Sequence, residues 1–185
     1  MKTFNPDTTF FSSDLHFLHK NIIKFQENRK FDSIEEMNEK IVKNWNNKIS
    51  DGDDVFLMGD VAMGSKPKLE ILLSRLKGNI HLIEGNHDFL NNDRFREYFV
   101  SIKKYNKISV DKQRIILFHY PIYDWDEASH GSWHLHGHTH NTYFGKGKVL
   151  DVGIDANPNL EPFSFEEIKE LMKDKKIKKH YEDEL

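Results

Sequence analysis

The chain has no cysteine among its 185 residues. That excludes disulfides, thiolate-held metals and a cysteine nucleophile together, and it fits a reducing compartment. It also lacks any apolar run near the roughly 20 residues that a membrane-spanning helix needs. Residues 1–6 (MKTFNP) do not show the basic-then-apolar pattern of a secretory leader. A cytoplasmic protein with no membrane partner is the expectation, and no obligate protein partner is evident. An excess of positive charge is missing too. The 27 Lys and Arg residues face 30 Asp and Glu, for a formal net charge of −3. Only a local basic patch could grip a long nucleic acid. Internal repeats, low-complexity tracts and linkers are absent, so one domain spanning 1–185 is expected.

What is present is ordinary in bulk, with 37% hydrophobic and 31% charged residues and 14 Phe for the core. Residues 8–13 (TTFFSS) read as a first strand ending at Asp14. Ser33 and Glu36 form a capping-box pattern before Ile34, Met37, Ile41, Val42 and Trp45, which recur at helical spacing. The continuous run VFLM at 55–58 reads as a buried strand. A helix is expected from Pro67, with Leu69, Leu72, Leu73 and Leu76 on one face and Gly78 closing it. Residues 80–84 (IHLIE) form the next strand, and 93–99 a short helix. Residues 107–110 and 114–118 read as a hairpin or adjacent strands, with further strands at 133–136 and 149–152. Ser164 and Glu167 start a last helix carrying Phe165, Ile168, Leu171 and Met172. Beyond Lys173 the charged sequence is expected to fray. Alternating strands and helices of this kind predict an α/β fold with layered sheets.

The polar residues at the strand ends carry the chemistry. The first strand runs into Asp14-Leu15-His16, the second into Gly59-Asp60, and the third into Gly85-Asn86-His87-Asp88. The strand IILF ends at His119, and the next at Gly137-His138-Thr139-His140. Ligands of open α/β sheets bind just beyond the carboxyl ends of strands. Gly59, Gly85 and Gly137 each stand between a strand and its polar residue, where a missing Cβ permits a sharp exit. Carboxylate, imidazole and amide donors without sulfur suit Mn²⁺, Fe, Zn²⁺ or Ni²⁺, and are too many for one tetrahedral ion. In two-metal hydrolases the ions stand about 3.5–4 Å apart, with a carboxylate shared between them.

In this order, the blocks DxH, GD, GNHD, a lone His and GHxH resemble the signature of the calcineurin-like metallophosphoesterases. The resemblance runs from Asp14 to His140 with no block missing. It implies a β-sandwich flanked by helices with a binuclear metal centre at one end. It also implies one ion on Asp14, His16, Asp60 and His140, and another on Asp60, Asn86, His119 and His138. Asp60 would bridge them. His87 would face the substrate phosphate, stabilising charge or protonating the leaving oxygen, and Asp88 would orient its imidazole. The activity implied is hydrolysis of a phosphodiester or phosphomonoester by a metal-bridging hydroxide, with Mn²⁺ the first choice of cofactor. A nucleotide or a nucleic-acid end is the favoured substrate. The segments DLHFLHKNII and VGIDANPNLEPFSFEEI are similar, more loosely, to a subgroup of short bacterial and phage phosphoesterases.

Other polar residues carry blander readings. His134 and His136 extend the last block to HLHGHTH and share a strand face with it. A metal-storage tract is conceivable, but supporting or structural roles are expected because the other ligands fill two coordination spheres. His81 reads as structural, and His130 and His180 carry no signal. His19 and Lys20 either reach a substrate phosphate or open a solvated helix. The aromatics of 120–125 (YPIYDW) either pack or stack on a base, with packing slightly favoured. The competing functions are a phosphoprotein phosphatase, disfavoured by the small size, and a non-catalytic scaffold of the same fold. The scaffold reading requires lost ligands, and none is lost here.

Overall fold

The computed structural model describes residues 1–88 and 93–179. Its strands are β1 (Lys2–Phe4), β2 (Thr9–Ser12), β3 (Asp54–Leu57), β4 (Asn79–Ile83), β5 (Ser101–Lys103), β6 (Tyr105–Val110), β7 (Gln113–Phe118), β8 (Trp133–His136), β9 (Val149–Asp151) and β10 (Phe163–Ser164). The α-helices are α1 (Ile22–Phe25), α2 (Ile34–Lys48), α3 (Lys66–Leu73), α4 (Asp93–Arg96) and α5 (Phe165–Met172).

The strands form two five-stranded sheets, in the orders β10-β2-β3-β4-β5 and β1-β6-β7-β8-β9. In the first, β2 to β5 are parallel and β10 runs against β2. In the second, β7, β8 and β9 are parallel and β6 is antiparallel to β7. Alternation along each strand explains the layers. Val55 and Leu57 of β3 face a core shared with α2 and α3. Phe56 and Met58 face the other sheet, meeting Phe4, Phe11, Ile115, Leu117 and Leu135. The VFLM run is continuous because both of its faces are covered.

Helix α2 starts as expected, with Ser33 Oγ accepting from the Glu36 N–H at 3.1 Å. The reciprocal bond shifts by one residue, since Glu36 Oε2 accepts from the Asp32 N–H instead. Its buried face, Ile34, Met37, Ile41, Val42 and Trp45, lies on the first sheet. Each such side chain contributes about 1.5–3 kcal/mol of transfer free energy. The Ser164–Glu167 capping box of α5 is complete.

Two expectations fail. Helix α3 stops at Leu73, well short of Gly78, because Asn46 reaches in from α2. Its side chain accepts from the Lys77 N–H at 3.0 Å and donates to the Arg75 carbonyl at 2.7 Å. The Trp45 indole takes the Lys77 carbonyl at 2.9 Å. The tail beyond Lys173 does not simply fray. Lys178 Nζ donates to the Tyr123 carbonyl at 2.6 Å and lies 3.3 Å from that ring's centroid. Residues 180–185, including His180, lie outside the described residues.

Candidate metal centre

The parallel strands deliver their carboxyl ends to one edge, and the loops there stay zipped together. The Asp14, His16 and Phe17 N–H groups donate to the Gly59, Asp60 and Val61 carbonyls at 2.9–3.0 Å. A Ser13–Gly153 bridge joins the ends of β2 and β9, so the two sheets meet at this edge.

Two groups of side chains gather there. Ligand-type atoms of Asp14, His16 and His140 lie within 4.8 Å of one another, as do those of Asp60, His119 and His138. Asp60 faces both groups. Its Oδ2 is 3.7 Å from His16 Nε2 and its Oδ1 is 3.6 Å from His119 Nε2. Asn86 Oδ1 joins the second group, 3.0 Å from His119 Nε2. All seven residues that the resemblance names as ligands therefore converge on one place.

The donor atoms fit cations. Asp14 Oδ1 and His16 Nε2 are buried without a hydrogen-bond partner and face each other at 3.9 Å. Two atoms that each stand about 2.0–2.2 Å from one ion are roughly 3–4 Å apart. Ring tautomers agree. His119 Nδ1 donates to the Met58 carbonyl at 2.6 Å, and His140 Nδ1 donates to Asp155 Oδ2 at 2.7 Å. Both rings are left with an Nε2 lone pair. Burial pushes the Asp14 carboxyl up to about 8, and burial together with the nearby Arg29 drives His16 down to about 2. A neutral imidazole beside a carboxyl that needs positive charge is a cation-binding arrangement.

The backbone is strained where the candidate ligands stand. Asp14, His16, Asp60, His138 and His140 all have positive φ, between 46° and 68°. Left-handed non-glycine residues cost of order 1–3 kcal/mol each, so the surroundings must hold them. The glycines next to them leave no room for a side chain. A Cβ on Gly137 would fall 1.9 Å from Ser13 Oγ and 2.3 Å from Asp14 Oδ2.

Three residues that the sequence reading missed do the holding. Arg29 is wholly buried. It forms a two-point ion pair with Asp155, both contacts at 2.7 Å, and donates to the Asp14 and Leu15 carbonyls at 2.5 and 2.9 Å. Asp155 in turn orients His140. Burial alone would raise the Asp155 carboxyl and lower the His140 imidazole. Their mutual contact, aided by Arg29 at Asp155 and by Asp14 at His140, reverses both shifts. Asp151 accepts from the Thr139 hydroxyl at 2.6 Å and the Asn141 N–H at 2.9 Å, fixing the loop that bears His138 and His140.

The contacts of Asp88 are not the one expected with His87. Its carboxylate accepts the Val61 N–H at 2.9 Å through Oδ1, and the Asp60 and Gly85 N–H groups at 3.0 and 2.8 Å through Oδ2. Both oxygens thus act on the backbone and pin the β3 and β4 exits together. Among the described residues, no hydrogen bond joins either oxygen to the His87 ring. His87 is half-buried, its N–H donates to Asp60 Oδ1 at 2.9 Å, and its ring centroid is 5.8 Å from that of His16.

The remaining histidines divide clearly. His134 accepts from the Ile122 N–H at 3.1 Å and donates to the Ile116 carbonyl at 3.2 Å, a structural pin for the loop after His119. His136 lies beside it, at 5.4 Å between centroids, and donates to the Gly137 carbonyl. Neither belongs to the two ligand groups. His81 bonds Ser101 and Asp54, a structural role as expected. His19 Nδ1 lies 3.3 Å from His16 Nδ1, at the rim of the first group. Of the loop aromatics, Trp125 is buried, whereas Tyr120 and Tyr123 are exposed. The Tyr120 ring lies 4.6 Å from His138.

A two-sheet sandwich whose strand ends gather Asp, His and Asn into two groups able to hold a metal ion is the arrangement of a metal-dependent phosphoesterase fold. Residues 10–152 match the model of the calcineurin-like phosphoesterase superfamily domain, and the chain belongs to that superfamily. It is 34% identical over 174 residues to the uncharacterised protein MJ1445 of Methanocaldococcus jannaschii, covering 89% of this chain and 91% of that one. It is 29% identical over 182 residues to the Gene 66 protein of Mycobacterium phage L5, covering 80% and 86%. Among solved structures, the protein of unknown function AQ665 from Aquifex aeolicus is similar, with TM-score 0.71 and 25% identity over 88% of this chain and 98% of that one.

Proposed function

We propose that this protein hydrolyses a phosphate ester, a diester or monoester of a nucleotide or nucleic-acid end, using two divalent metal ions. Asp14, His16, Asp60 and His140 would hold one ion, and Asp60, Asn86, His119 and His138 the other. The observation that carries the reading is the placement of Asp60, which turns one carboxylate oxygen toward each ligand group. Nitrogen and oxygen donors without sulfur favour Mn²⁺, with Fe, Zn²⁺ or Ni²⁺ as further choices.

When bound, such a pair of ions supplies Lewis acidity toward phosphate oxygens and lowers the pKa of water. The protein's own part is positioning and proton transfer. Asp155 and the Met58 carbonyl fix the tautomers of His140 and His119. Asp88 holds the two loops that present Asp60 and Asn86. His87 stands beside the centre as the group that places a proton on the leaving oxygen. Exposed Tyr120, next to His138, offers a face on which a base can stack.

The test uses protein stripped with EDTA and then supplied with Mn²⁺, assayed on p-nitrophenyl phosphate and bis-(p-nitrophenyl) phosphate. Activity on at least one ester, lost with chelator and regained with metal, is expected. Inactivity on both esters, with two metal ions measured per chain, would refute the reading.

A further inference from the structure

A pocket opens beside His87 that differs from everything else at this edge of the molecule. Its lining is mostly apolar, with Leu69 and Leu73 of α3, Phe95 and Phe99 at α4, and Val61 from the loop after β3, and its polar members are Lys66, His87 and Asp88. The cavity measures about 80 Å³. A water molecule needs roughly 10–15 Å³ of such space and two or more polar partners. Several waters would fit, and among the lining side chains only Lys66, His87 and Asp88 could bond to them. A hollow of this kind next to a polar centre favours an apolar occupant.

The wall next to the metal centre is rigid. Asp88 is fixed by three backbone N–H groups, and the His87 N–H is tied to Asp60. The pocket therefore stands at a set distance from the ligand groups, on the side where His87 stands. His87 borders both, since it lines the pocket and its ring centroid is 5.8 Å from that of His16 in the first ligand group.

We propose that this pocket is the leaving-group subsite and that it takes an aromatic ring, making the substrate a phosphate ester of an alcohol that carries one. The inference rests on the reading of His87 as the leaving-group acid. A cavity of about 150 Å³ lined by Leu, Ile and Phe holds benzene. This smaller one, open on one side, takes the edge of a ring and leaves its linked oxygen beside His87. The polar ligand groups, which suit a phosphoryl group, share no residue with this lining. Orientation of the ester thus follows from the contrast between the two halves of the cleft.

Leu69 is the residue to change, since it lines the pocket, is only partly buried and takes no part in metal or proton chemistry. Leu69→Trp fills the space, and Leu69→Asn makes it polar without filling it. The first arm is binding. Ligand-observed NMR with phenol and the EDTA-stripped protein should show saturation transfer in the wild type and none in Leu69→Trp. The second arm is kinetic, on the Mn²⁺-loaded protein. The KM for phenyl phosphate should rise about tenfold or more in both variants, the scale of lost apolar contact in a specificity pocket. Its kcat, and both constants for methyl phosphate, should be retained.

No phenol signal in the wild type would overturn the proposal, as would equal changes for phenyl and methyl phosphate. If no ester is hydrolysed at all, the function proposed above fails, and the phenol arm still decides whether the pocket takes a ring.

Discussion

Exchanging Asp155 for Asn keeps the side chain's size and removes the charge that faces both Arg29 and His140. The Arg29 side chain is 0% exposed and that of Asp155 2% exposed, so water cannot screen the change. Breaking a buried ion pair by neutralising one partner costs about 3–5 kcal/mol. Here the guanidinium keeps its bonds to the Asp14 and Leu15 carbonyls, so the lower end, about 3 kcal/mol, is expected. A second effect is local. Asparagine leaves one neutral oxygen for which Arg29 and His140 compete, so His140 is held less firmly, and loss of such a partner weakens metal binding about 10–100-fold. The weakening should fall on the group of Asp14, His16 and His140 and spare the group of Asp60, His119 and His138. Urea unfolding of the metal-free variant gives the first quantity, and calorimetric titration with Mn²⁺ the second. A variant that binds both ions as tightly as the wild type would refute the argument, and so would equal weakening of both sites.

Other substitutions probe different parts of the centre. Asp60→Asn should weaken both ions together, and metal analysis finding two tightly held ions would contradict its shared position. His87→Ala should keep both metals and lose about 10²–10⁴-fold in turnover, most for alkyl esters, whose leaving oxygen needs a proton. Equal losses for alkyl and nitrophenyl esters would remove the proton-donor role. His134 tests acid stability. Burial, with the neighbouring His136, holds its imidazole down at about 4, against an ordinary 6.5. A depressed folded value means its contribution is whole above pH 6.5 and is lost as pH falls toward 4. The loss is on the order of 3 kcal/mol. His134→Gln cannot titrate, so its urea midpoint should fall less than that of the wild type between pH 7 and pH 4.5. Parallel curves would refute this.

The visible and the hidden parts of this molecule separate for physical reasons. The faces of α2 and α5 were legible because burial on one side imposes a period on the sequence. The candidate ligands were legible because each stands where a strand ends. Strands β1, β5 and β10 span only two or three residues, too short for any period to register. The end of α3 depends on Asn46, a residue of another helix, and no local pattern near Gly78 contains that information. Asp88 stands next to His87 in sequence, which invited a pairing, but its carboxylate turns to the backbone of a different loop. Asp155 lies in a segment already noticed for its loose resemblance, so a weak signal existed. Arg29, between Asn28 and Lys30, looks like any solvated cation, and only the fold reveals that it is the buried counter-charge.

The left-handed backbone at five of the proposed ligands has a consequence for redesign. Asn, Asp and His are the residues other than glycine that visit this conformation most readily, and they are also metal donors. The positions at 14, 16, 60, 138 and 140 therefore select their occupants twice, once for chemistry and once for main-chain shape. Swapping Asp for Glu to lengthen a donor, or bringing in a branched residue, would fail the second test whatever it did for the first. Retuning the preference for one metal over another must come instead from the residues behind the ligands, Arg29, Asp151 and Asp155 foremost.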